Sequence, residues 1–225
     1  MESMVEKGQV GRTRMSAEQR RESILNAAVE VFATTGYRAG KVSDVAAKVG
    51  VTEPVIFQNF GSKASLYAAV LDRAASDLRA DLQDLMGNFG SASDLLAHVL
   101  NPTHAVGFSP AHDERPHAAQ SYGVLFADAA ALTAEPALTE AARRAVGSVT
   151  DHLADILRYG QSDGDIRADL DPEAAAWLLL AVLSTRRIRA AAAPDFEQLE
   201  DGVAALAIRA LVESSPAVAH RHGQD

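Results

Sequence analysis

The sequence predicts an all-α fold of about nine helices. Two observations carry that prediction. Apolar residues recur at three- and four-residue intervals along most of the chain, while alternating apolar–polar runs are almost absent. Cap signals stand in front of these periodic stretches, and glycine or proline stands behind them.

Ser16-Ala17-Glu18-Gln19 reads as a capping box, in which a serine hydroxyl and a glutamine amide satisfy orphan backbone N–H groups. Ile24, Leu25, Ala28, Val31 and Phe32 follow at helical spacing. Gly36 is the expected stop of a helix of about 18 residues, because glycine tolerates the left-handed conformation. A short helix is expected from Lys41 to Val49, ended by Gly50. Thr52 is expected to cap a third, with Pro54 in its first turn, where a missing N–H costs little. Ser62 is expected to cap a fourth that runs towards Leu85.

Beyond residue 90 the pattern is less sharp. Residues 101–117 hold three of the eight prolines and read as a loop or broken helix. Helices are expected over 118–132 and 137–161. Asp171 and Pro172 open a helix that is apolar nearly all round, expected to be buried on several sides before Pro194 ends it. A last amphipathic helix is expected over 196–212, with Val203, Leu206, Ala207, Ala210 and Leu211 on one stripe.

Charge is divided unevenly. The chain carries a formal −9, yet residues 1–73 hold ten Lys/Arg against eight Asp/Glu, a net of +2, and the remainder carries −11. An acidic body repels phosphates, so contact with nucleic acid is expected from the N-terminal third. The chain has no cysteine, which excludes disulfides and thiolate metal sites. No secretory signal is visible, and the longest apolar run spans Ala174 to Leu183, short of the roughly 20 residues a membrane helix needs. A soluble, cytoplasmic protein with no membrane partner is expected.

The two short helices around Gly50 form a helix-turn-helix pattern, in which the second helix presents side chains to the major groove. Alone the pattern is weak. It is embedded in Ile24-Leu25-x-Ala27-Ala28-x-x-x-Phe32-x-x-x-Gly36-Tyr37, then Val45-Ala46-x-x-x-Gly50-Val51-Thr52, then Ile56-Phe57-x-x-Phe60-x-Ser62-Lys63-x-x-Leu66. This constellation over residues 21–70 resembles the DNA-binding signature of the tetracycline-repressor (TetR) family. Gly160-x-x-x-Gly164-x-Ile166-Arg167-x-Asp169 resembles, more loosely, that family's link into its penultimate helix.

The resemblance implies an N-terminal three-helix helix-turn-helix domain over 16–64 and a helical ligand-binding and dimerisation domain over 65–215. Residues 1–15 are then a flexible arm and 216–225 a disordered tail. It implies DNA contact from Ser43, Thr52, Glu53, Pro54, Val55, Phe57, Gln58, Asn59 and Lys63. Gln58 and Asn59 carry amides that suit adenine, or are simply exposed polar residues. Glu53 accepts from cytosine, or stabilises a helix N-terminus. Lys63 suits a phosphate. Phe57 stands where the family usually has tyrosine, and Asn59 where histidine or tyrosine is common. Both departures bear on operator sequence and binding strength. Arg12 and Arg14 either reach a minor groove or only add solubility.

The resemblance also implies a homodimer through the last two helices, a pseudo-palindromic double-stranded operator, and a small-molecule effector. The expected function is a ligand-responsive regulator, a repressor released by a mostly apolar effector. The rival readings are a ligand-dependent activator, or a small-molecule-binding or scaffold protein whose DNA reader has weakened. Tyr122, Phe126, His152 and Trp177 are either core residues or walls of the effector pocket. His98, His104, His112 and His117 beside Asp113 and Glu114 match no zinc spacing, so no metal site is assigned. No catalytic motif stands out, and neither an enzyme nor a cofactor is expected.

Overall fold

The computed structural model describes residues 15–101, 125, 126, 128, 129, 131, 132 and 135–212. Arg12, Arg14, Tyr122, three of the clustered histidines, most of the 118–132 segment and the C-terminal tail lie outside these residues. Nine helices are described: α1 Ala17–Ala39, α2 Val42–Val49, α3 Glu53–Phe60, α4 Lys63–Asn88, α5 Ala92–Leu100, α6 Pro136–Asp163, α7 Pro172–Ser184, α8 Arg186–Ala192 and α9 Phe196–Leu211. Among the described residues there is no strand, only one isolated bridge between Ile166 and Val212.

The expected capping box opens α1. Ser16 Oγ accepts from the Gln19 backbone at 3.0 Å, and Gln19 Oε1 accepts from the Ser16 N–H at 2.9 Å. Ile24, Ala27, Ala28 and Phe32 bury its inner face. The helix does not stop at Gly36 as expected. Gly36 takes φ 70°, ψ 178°, which kinks the chain, and a further turn carries it to Ala39. Gly50 adopts the left-handed conformation and separates α2 from α3. Ser62 caps α4 by accepting from the Ser65 N–H at 3.0 Å.

The long helix α4 runs unbroken across residues 64 and 65, so the N-terminal helices and the body share one rod. Its inner stripe of Leu66, Tyr67, Val70, Leu71, Leu82 and Leu85 packs against α1 and then along α6. Helix α5, which the sequence reading left unassigned, is capped by Ser91 and buries Leu95, Leu96, Val99 and Leu100.

The C-terminal helices depart from expectation. The stretch expected as one helix divides at Thr185 into α7 and α8. The Thr185 hydroxyl donates back to the Ala181 carbonyl at 2.6 Å, a local bond that competes with the helical ladder. Nor is α7 buried on several sides. Ala175, Ala176 and Leu179 face inward, whereas Trp177 and Leu178 are exposed. On α9 the stripe also divides: Ala207 and Leu211 are buried within the chain, while Leu206 and Ala210 face outward. A sequence shows that a helix is apolar. It does not show how many neighbours one chain supplies.

Candidate nucleic-acid interface and effector cavity

Val42, Val45 and Ala46 anchor α2, and Ile56 and Phe60 anchor α3, on the core of α1 and α4. This leaves Ser43, Thr52, Glu53, Pro54, Phe57 and Gln58 exposed on one outer surface, with Val55 and Asn59 half-buried at its edge. Thr52 holds the N-cap position of α3, but its side chain makes no capping bond, contrary to expectation. Its hydroxyl therefore remains available to a phosphate.

The two amides differ. Asn59 Nδ2 donates to the Val55 carbonyl at 2.7 Å, so one of its two N–H donors is spent on its own helix and the half-buried amide is held back against it. Bidentate pairing with adenine needs both donor and acceptor of one amide. Gln58 is exposed and makes no hydrogen bond among the described residues, so it keeps both.

Lys63 opens α4 with its ammonium 4.8 Å above the Tyr37 ring and 3.5 Å from the Arg38 carbonyl. Arg38 and Lys41 are exposed beside it. Arg21, on α1, lays its guanidinium 4.1 Å over the Phe60 ring and donates to the Asn59 carbonyl. Arg21, Arg38 and Lys41 are not among the contacts that the sequence motif points to. Nothing local ties residue 21 to residue 59; only the crossing of α1 over α3 does.

In the body, a cavity of about 300 Å³ lies between the end of α4 and α6, lined by Gln83, Met86, Gly87, Phe89, His152, Ile156 and Tyr159. His152 Nε2 is buried there with no hydrogen-bond partner among the described residues. Burial, and secondarily the Arg79 charge, pull the His152 pKa below its ordinary value, so the imidazole is held neutral. Of the four residues expected around the effector, the three that are described do not converge. His152 lines this cavity, Phe126 is buried in the core, Trp177 faces outward with 55% exposure, and Tyr122 falls outside the described residues. His98 packs its ring against Phe89 at 4.8 Å. A wider groove between α1 and α2 is polar, lined by Gln19, Glu22, Asn26, Glu30 and Lys48, and suits an apolar ligand poorly.

A compact helix-turn-helix braced by a first helix and joined to a helical body is the arrangement by which helix-turn-helix proteins offer a second helix to the major groove. Residues 24–70 match the family described as bacterial regulatory proteins, tetR family. It is 43% identical over 65 residues to the HTH-type transcriptional activator FasR of Mycolicibacterium smegmatis, covering 29% of this chain and 30% of that protein. It is 33% identical over 75 residues to the HTH-type transcriptional repressor NicS of Pseudomonas putida, covering 30% and 35%. The chain thus spans about a third of the length of these curated relatives. The fold is similar to a TetR-family regulator from Cytophaga hutchinsonii, with a TM-score of 0.70 at 18% identity over 90% of this chain and 100% of that one.

Proposed function

We propose that this protein is a homodimeric transcriptional regulator that binds a pseudo-palindromic operator through α3 and responds to a small, mostly apolar molecule. The observation that carries the reading is the exposed surface of Thr52, Pro54, Phe57 and Gln58 flanked by Lys63, Arg38 and Lys41. A free amide there reads base edges, and the cations take phosphates.

The dimer reading rests on an apolar face with no cover in one chain. Trp177, Leu178, Ile188, Leu199 and Leu206 are all exposed on α7, α8 and α9. Beneath them Glu200, 3% exposed, is held at 3.1 Å by both Arg186 and Arg189, which fixes α8 against α9. Large apolar side chains left exposed on neighbouring helices mark an association surface. Packing of α7 and α9 against their counterparts covers it and fixes the distance between two α3 helices.

The cavity beside His152 is the effector site in this reading. Its walls are mainly apolar and its buried polar atom is a neutral imidazole nitrogen, which suits a hydroxyl or carbonyl better than a phosphate. We assign repression with release by effector. The relatives include both an activator and a repressor, so the sign of control follows from where the operator lies relative to the promoter. Genome-wide capture of bound DNA, with and without metabolite extract, tests the reading. Discrete sites that empty with extract support it; no enriched sites would leave only a small-molecule-binding or scaffold role.

A further inference from the structure

We propose that Asp128 is a positioning residue that clamps the kinked end of α1 to α4, and so links the DNA reader to the N-terminus of α6. The proposal rests on the DNA-binding reading above for its consequence, though not for its geometry.

The kink at Gly36 takes the Tyr37 N–H out of the helical ladder. That N–H donates to Asp128 Oδ2 at 2.7 Å, and the Tyr67 hydroxyl of α4 donates to the same oxygen at 2.8 Å. One carboxylate thereby ties the end of α1, the second turn of α4 and the segment leading to α6. Gly36 is required twice over. Its φ of 70° disfavours any side chain, and a Cβ would stand 3.1 Å from Asp128 Oδ1.

A second carboxylate reinforces the first. The Tyr37 hydroxyl donates to both oxygens of Glu135, each at 3.0 Å, and Glu135 is the N-cap residue of α6. Tyr37 is also the ring on which the Lys63 ammonium rests. The residue that seats the phosphate-binding lysine is therefore held at its backbone and at its hydroxyl by two acids of the body. From Glu135 the helix runs unbroken to His152 and Tyr159 at the cavity, about 25–35 Å at 1.5 Å per residue. A displacement of α6 at the cavity reaches Tyr37 through these carboxylates, in parallel with α4.

The test uses the full chain carrying Asp128→Ala, with Asp128→Asn as a near-isosteric variant if alanine does not fold. The first readout is amide hydrogen exchange. Exchange at Tyr37 should rise at least about tenfold while Ala27 and Ala28 in α1 stay protected. Unchanged exchange at Tyr37 would overturn the clamp. The second readout is affinity for the captured operator, for the same duplex with one central base pair inserted, and for random duplex. Wild type should discriminate against the insertion; the variant should lose that discrimination by about fivefold or more, within the usual range of coupling between sites, with random-duplex binding kept. Unchanged discrimination, or equal loss on all three duplexes, would overturn the positioning role. If wild type itself fails to prefer the operator, the DNA-binding reading fails, and exchange at Tyr37 still decides the clamp.

Discussion

Lys63 holds its ammonium 4.8 Å above the ring of Tyr37, at the first position of α4. The ring restrains a long side chain at a helix N-terminus, where partial positive charge already favours an anion. Lys63→Ala should weaken binding to every DNA sequence alike and reduce the salt dependence by about two units for the dimer, since one phosphate contact is lost in each subunit. Titrations at several salt concentrations check this. An unchanged slope would remove Lys63 from the interface.

The unequal amides of α3 give a sharper prediction. Gln58→Ala should relax selection at one base position in each half-site and cost about 1–3 kcal/mol per half-site on the preferred sequence, the usual value of one bidentate contact. Asn59→Ala should leave base preference unchanged, because the bond to the Val55 carbonyl holds this half-buried amide against its own helix. Selection from randomised duplexes with each variant separates the two.

Association should depend on the outward residues of α7 to α9. Leu206 is 62% exposed in one chain, so Leu206→Glu should leave the subunit folded and yield monomers, seen by sedimentation at micromolar concentration. Ala207 is buried within its own chain, and Ala207→Glu should instead destabilise the fold by several kcal/mol through an unpaired buried carboxylate. Trp177, the single tryptophan, lies on the exposed side of α7. Its emission should shift to longer wavelength in the Leu206→Glu monomer. A wild-type monomer would contradict the dimer.

The neutral imidazole of His152 predicts a pH dependence with a definite sign. Burial lowers its folded pKa, with Arg79 adding to the effect and Asp155 opposing it. The unfolded chain takes up that proton near pH 6.5, whereas the folded one resists it. The stability this group contributes is complete above about pH 6.5 and is lost as pH falls towards the lowered folded value. His152→Gln should therefore narrow the gap in melting temperature between pH 8 and pH 5.5 relative to wild type. An unchanged gap would place His152 in water.

Several caps and stops were legible because each is local: Ser16 with Gln19, Gly50, Ser62 with Ser65, and Asp171 with Pro172 act within a few residues. The outward face of α3 was legible for a similar reason, since the spacing of Ile56 and Phe60 decides which neighbours face outward. What escaped depends on partners distant in sequence. Asp128 lies 91 residues from the Tyr37 N–H, and Arg21 lies 38 residues from the Asn59 carbonyl it meets. The outward turn of Trp177 escaped because an apolar helix looks the same whether its second face meets its own chain or another.

Equilibrium selection of duplexes from a random library by the full-length wild-type chain tests the central claim most directly. The account predicts an enriched pseudo-palindrome whose half-sites lie about one helical turn or a multiple of it apart, as two α3 helices related by a two-fold axis require. It also predicts that Gln58→Ala relaxes one symmetric pair of positions within it. Uniform recovery of all sequences, or a single asymmetric site bound by one subunit, would contradict it.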